Sequence, residues 1–232
     1  MQITEVLPSL HRISFDHGQA YLWSDPDALT LIDTGHRGSG AEIDAAIRHI
    51  GRDPGQLSRI ILTHWHPDHV GSAAEIADWH DGVTVFASAA DTPVIRGDQQ
   101  GPAPVLPESE RALYERIVPG VPAAPPVRVD RELVDGDLLD FAGGAAVIAV
   151  PGHTEGSIAI HLPVHRVLFT GDTVANVDDV TTLGVFNVDR AQAIRSLHTL
   201  AGFDADVILV GHGEPITADG AARLRKTAAA TD

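Results

Sequence analysis

His64, His66, Asp68 and His69 place four potential metal ligands within six consecutive residues, His64-Trp65-His66-Pro67-Asp68-His69. Imidazole nitrogens and carboxylate oxygens are the donors that a borderline cation such as zinc accepts. In an extended segment alternate side chains share a face, so His64 and His66 point one way and Trp65, a packing residue, the other. Asp68 and His69 fall where the chain turns away, so they can face a second point nearby. Two adjacent groups of ligands suggest two metals rather than one.

Three downstream segments repeat one grammar, an apolar strand followed by a polar residue framed by glycine or a turn. Val147-Ile148-Ala149-Val150 leads to Pro151-Gly152-His153, Val167-Leu168-Phe169-Thr170 to Gly171-Asp172, and Val207-Ile208-Leu209-Val210 to Gly211-His212-Gly213. Glycine permits the sharp turn and the close backbone approach. Strand ends are where α/β sheets commonly build sites. Each segment alone is a weak signal; the ordered set is a strong one.

These residues together resemble the metallo-β-lactamase-fold superfamily of metallohydrolases, from Ile32-Asp33-Thr34-Gly35 to Gly211-His212-Gly213. The resemblance implies that His64, His66 and His153 hold a first metal and that Asp68, His69 and His212 hold a second. Asp172 would bridge the two, together with a water or hydroxide, and Asp33 would orient the site without binding metal. The implied cofactor is a pair of Zn2+ ions, with Fe or Mn as alternatives. Such a centre makes hydroxide available near neutral pH for attack on an electrophilic carbonyl or phosphorus. By the same resemblance, Asp68 is a catalytic residue that orients or shuttles a proton, and Asp172 one that protonates the leaving group. No protein nucleophile is needed, which agrees with the absence of cysteine and of a Gly-x-Ser-x-Gly elbow.

Departures from the family's patterns narrow the branch to one resembling glyoxalase II and the lactonases, not the true β-lactamases. Zinc β-lactamases carry a cysteine or lack a bridging carboxylate where Asp172 stands. Acyl-homoserine lactonases tend to place tyrosine where this chain has Ala175, and flavodiiron proteins replace His66 with glutamate. The chain stops soon after His212, so the glutathione-gripping helical region of glyoxalase II is expected to be missing. What remains is a binuclear hydrolase of a small-molecule ester, thioester or lactone. The alternatives are a mononuclear iron sulfur dioxygenase and a phosphodiesterase.

Composition sets further bounds. With 232 residues, 44% of them apolar, the chain can bury a substantial core. Zero cysteines exclude disulfides and thiolate metal sites. Thirty-two acidic against 16 basic residues give a net charge of −16, which opposes nucleic-acid binding and favours a small-molecule partner. Neither a basic, apolar leader nor a membrane-length apolar run is present, so a cytoplasmic protein without membrane attachment is expected.

The elements that must carry these residues read as strands and helices twice over. Strands are expected at 18–23, 28–33, 59–63 and 83–86, with helices at 41–50 and 72–79. The second half continues with strands at 147–150, 158–162, 167–170 and 207–210, and with helices near 189–201 and 217–228. This pattern, with the resemblance, gives an α/β fold, a four-layer αββα sandwich of two similar halves forming one domain over 1–232. Seven prolines between Pro102 and Pro126 mark a loop-helix-loop insertion at about 97–126, helical at 108–118. It serves either as a connector or as a wall for a substrate.

Overall fold

A computed structural model describes residues 1–231. The chain forms two compact units, one of residues 1–100 and 120–133, the other of 101–119 and 134–232.

The first unit is a seven-stranded sheet in sequential order. Its strands are β1 (Gln2–Leu7), β2 (Leu10–Ser14), β3 (Gln19–Ser24), β4 (Leu29–Ile32), β5 (Leu57–Leu62), β6 (Thr84–Ser88) and β7 (Arg131–Leu133). The first four pair antiparallel and the rest continue in parallel. Helix α1 (Gly40–His49) carries its apolar residues at helical spacing, and Ile43, Ala46 and Ile47 are buried. They pack with Leu22, Leu31, Ile60, Leu62 and Val85 from alternate sheet positions. Short helices α2 (Pro67–Val70), α3 (Ala73–Ala77) and α4 (Thr92–Ile95) complete this unit. Tyr21, Ile32, Ile61 and Phe86, on the opposite sheet face, are buried too.

The second unit holds helix α5 (Glu108–Ile117) and strands β8 (Leu138–Leu139), β9 (Ala145–Ala149), β10 (Ile158–Leu162), β11 (Val167–Val177), β12 (Val180–Leu183) and β13 (Val207–Gly213). The sheet order is β12-β11-β10-β9-β8, with β13 added in parallel to β11. Helices α6 (Arg190–Leu200) and α7 (Gly220–Ala229) cover one face. Ala193, Leu197, Leu200 and Leu224 meet Ile148, Leu168, Val174 and Ile208 there.

The strands and helices expected from periodicity are present, most within a few residues of their expected bounds. Two differences bear on the site. Strand β11 does not end before Asp172 but runs on to Val177, and β13 runs on through His212 to Gly213. The pairing of β11 with β13 shifts register on both sides of Gly171, whose φ of +49° suits a residue without Cβ. Asp172 is thus presented by a bulged strand rather than by a strand end, and only the cross-strand register reveals that. Strands β1, β2, β7, β8 and β12, short or half-exposed, had no clear periodic signal. No helix among the described residues is long and apolar enough to cross a membrane.

Candidate metal centre

In the first unit the donors gather at the C-terminal ends of β4 and β5. These neighbours run parallel with Ile32 opposite Ile61, so Asp33 and Thr63 leave the sheet side by side. Thr63 ends β5 because its N–H turns to Asp33 Oδ1 at 2.8 Å, while its hydroxyl donates to Oδ2 at 2.8 Å. Asp33 adopts φ +57°, a left-handed conformation that Asp tolerates better than most residues. Its Oδ2 also lies 2.8 Å from His69 Nδ1. That contact assigns the Nδ1 proton to His69 and leaves Nε2 as the donor atom. The chain turns at His66, and Pro67 opens α2, where the missing N–H costs nothing. One turn of helix then brings His69 back, its N–H on the His66 carbonyl at 2.9 Å. Thr34 fastens the far side, its hydroxyl donating to the His69 carbonyl at 2.8 Å.

His64 Nε2 and His66 Nδ1 lie 3.1 Å apart. The His64 ring sits 4.1 Å from that of His69, centroid to centroid, and both side chains are buried. Asp68 Oδ2 is 3.9 Å from His69 Nε2. Trp65 packs on the apolar core and lays its ring edge-on to His66, at 4.4 Å between centroids. Its N–H donates to buried Asp91 Oδ2 at 3.1 Å. Asp91 was not expected at the site. Its only sequence cue is an acidic residue before Thr92-Pro93, a helix-start pattern common in loops.

In the second unit a single carboxylate oxygen organises the donors. Asp172 Oδ2 lies 3.1 Å from His212 Nε2 and 3.4 Å from His153 Nε2. Strand pairing brings this about, with Ala175 on β11 opposite His212 on β13. His153 rides on a turn after β9 that Gly152 allows, because a Cβ there would collide with the backbone of Ala193 at the start of α6. The loop at 184–189 braces both segments. Gly184 N–H donates to the Thr173 carbonyl at 3.0 Å, and Val188 and Asp189 N–H donate to the carbonyls of His153 and Gly152 at 3.2 and 2.9 Å. Asn187 is buried, and its side-chain amide donates to the Gly184 carbonyl at 2.7 Å. Asn176 ties β11 to Glu214 and Thr181 and has no direct part in the cluster.

Each cluster by itself offers donors that suit a divalent cation. Two donors on one tetrahedral zinc, each about 2.0–2.1 Å from the metal, stand roughly 3.3 Å apart. The three separations of 3.1, 3.1 and 3.4 Å are close to that edge.

Comparison with known proteins agrees. The Metallo-beta-lactamase superfamily profile matches residues 13–212. The chain belongs to the metallo-β-lactamase superfamily. It is therefore a metal-dependent hydrolase, and its two sheets with helices are that superfamily's α/β fold. It is 30% identical to a probable metallo-hydrolase, YflN, of Bacillus subtilis (strain 168), over 92% of this chain and 87% of that protein. It is 27% identical to a hydroxyacylglutathione hydrolase, GloC, of Haemophilus influenzae, over 88% of this chain and 89% of that one. Among solved structures, a metallo-beta-lactamase family protein of Thermus thermophilus matches with a TM-score of 0.71 and 25% identity, over 97% of this chain and 80% of that one.

Proposed function

We propose that this superfamily member is a binuclear zinc hydrolase of small-molecule thioesters, with carboxylic esters and lactones as related substrates. The observation that carries the binuclear reading is Asp172 Oδ2, which two imidazoles approach at 3.1 and 3.4 Å. A carboxylate oxygen shared in this way suits two cations better than one. In this reading, as the family resemblance implies, His64, His66, His153 and Asp172 would hold one cation, and Asp68, His69 and His212 the other. When bound, the cations supply Lewis acidity toward a carbonyl oxygen and hydroxide near neutral pH. Asp33 keeps the Nδ1 proton on His69, so that Nε2 faces inward as a donor. Asp68 would orient the attacking water, and the proton that this water releases as its oxygen bonds the carbonyl carbon would pass through Asp172 to the leaving sulfur or oxygen.

The thioester preference rests on the match to a hydroxyacylglutathione hydrolase over 89% of that protein's length, since acylglutathiones are thioesters. That match extends over nearly the whole of a relative so named, which weakens the expectation that such chemistry needs a further helical region. Ala175, across from His212, places no phenol beside that imidazole, which disfavours a lactonase of the tyrosine-bearing kind. The net charge of −16 supports a small-molecule partner over nucleic acid, and the lack of cysteine suits a reducing cytoplasm.

The test is elemental analysis of protein purified without added metal, paired with turnover of S-lactoylglutathione, an acyl-coenzyme A and p-nitrophenyl acetate. Two zinc (or manganese) ions per chain with thioester turnover are expected. One iron per chain, with oxygen consumption on a persulfide substrate, would replace this proposal with the sulfur dioxygenase reading.

A further inference from the structure

The proline-rich insertion does more than connect strands. Glu110, on helix α5, is buried although its neighbours Glu108 and Arg111 are exposed. Its Oε2 accepts the Phe186 N–H at 2.7 Å, and Oε1 lies 3.4 Å from Arg190 Nη1. Tyr114, one turn further along the same helix, meets the Phe186 ring edge-on, with centroids 5.1 Å apart. Val105, ahead of the helix, donates its N–H to the Asn187 carbonyl at 2.9 Å. Four contacts therefore join the insertion to the loop at 184–189 and to the first residue of α6 after it. Phe186 sits in that loop at φ +61°, a conformation that a bulky aromatic residue holds only when its surroundings impose it.

That loop is the same brace that carries the ligand segments. One end bonds Thr173, next to Asp172, and the other end bonds the carbonyls of His153 and Gly152. A buried charged acceptor on the insertion is thus two hydrogen bonds away from the His153 backbone.

We propose that Glu110 is a positioning residue, latching the insertion helix to the 184–189 loop and so setting the orientation of the His153 turn and the Asp172 strand. Its bearing on metal rests on the function proposed above; the latch itself does not. Tyr114 and Phe186, held by the same contact, form a joined aromatic face that moves with the ligand loop.

The test is hydrogen–deuterium exchange on the protein as purified, comparing Glu110→Ala, Glu110→Gln and the control Glu108→Ala. Exchange of peptides covering 184–189 and 151–157 should quicken roughly tenfold or more in Glu110→Ala, the factor for losing a hydrogen bond to a charged acceptor. Glu110→Gln keeps an oxygen for the Phe186 N–H and should recover part of the protection. Glu108→Ala should match wild type. Cobalt(II)-loaded Glu110→Ala should also show a shifted visible absorption, which a purely remote structural change would leave alone. Unchanged exchange at 184–189, or exchange raised equally in β2 and β3, overturns the latch. Failure of the wild type to bind cobalt refutes the metal reading alone, because the exchange contrast does not depend on metal.

Discussion

Replacing Asp33 with alanine removes one buried carboxylate that accepts three contacts, from the Thr63 N–H, the Thr63 hydroxyl and His69 Nδ1, each at 2.8 Å. A buried donor left without its acceptor costs about 1–3 kcal/mol, more when a charged group was the partner. The three donors together give roughly 3–9 kcal/mol, reduced toward the low end by whatever water can re-solvate them. Alanine also loses Asp's tolerance of φ +57°, about another 1 kcal/mol. A net loss of about 4 kcal/mol is a large part of a domain's usual stability of about 5–15 kcal/mol. All three tryptophans, Trp23, Trp65 and Trp79, lie in the first unit, so urea unfolding followed by fluorescence of metal-free protein reports on this region. Asp33→Asn keeps the size, one acceptor and a comparable ease at positive φ, and should lose only about 1–2 kcal/mol. Zinc affinity should fall by about 10–100-fold in both variants, because the His69 ring is no longer held in one orientation. An unfolding midpoint for Asp33→Ala within error of wild type would refute the reasoning, since it would mean that the three donors find other partners at no cost.

Further expectations follow the same logic. Gly184→Ala forces a Cβ onto the carbonyl of Asp172, so stability should drop by at least about 3 kcal/mol; a crystal structure or thermal melt indistinguishable from wild type would contradict the close approach. Asp91→Ala strips the acceptor from the Trp65 N–H between His64 and His66, and should cost about 1–3 kcal/mol and blue- or red-shift the tryptophan emission of the native state; isothermal zinc titration should register weaker binding. Hydrogen bonds from Arg166 hold the Asp204 and Asp206 carboxyls below the usual carboxylate range. Their folded-state values are therefore lower than the unfolded value near 4, so the stabilisation is present above about pH 4 and is lost as pH falls through the folded values. The melting-temperature gap between wild type and Arg166→Gln should accordingly narrow from about pH 6 to about pH 3, and should be small at high salt because these groups are exposed. A gap independent of pH would exclude the ion pairs as its source.

Local chemistry made much of this protein legible from its residues. His64-Trp65-His66-Pro67-Asp68-His69 declares a ligand cluster because donor type and alternation are local properties, and Pro67 marks the turn within it. The buried strands and helices α1, α6 and α7 are legible too, since apolar periodicity directly reflects which face is buried. Tertiary structure alone decided the rest. That Asp172 belongs inside a bulged strand depends on register against β13, a pairing between segments about forty residues apart. Asp33 and Thr63 meet because β4 and β5 run in parallel, which no spacing within either strand encodes. Asp91 and Glu110 look like any acidic residues on a chain rich in them. Only burial, with a backbone N–H aimed at each carboxylate, separates them from the solvated majority, and burial is a property of the packed chain.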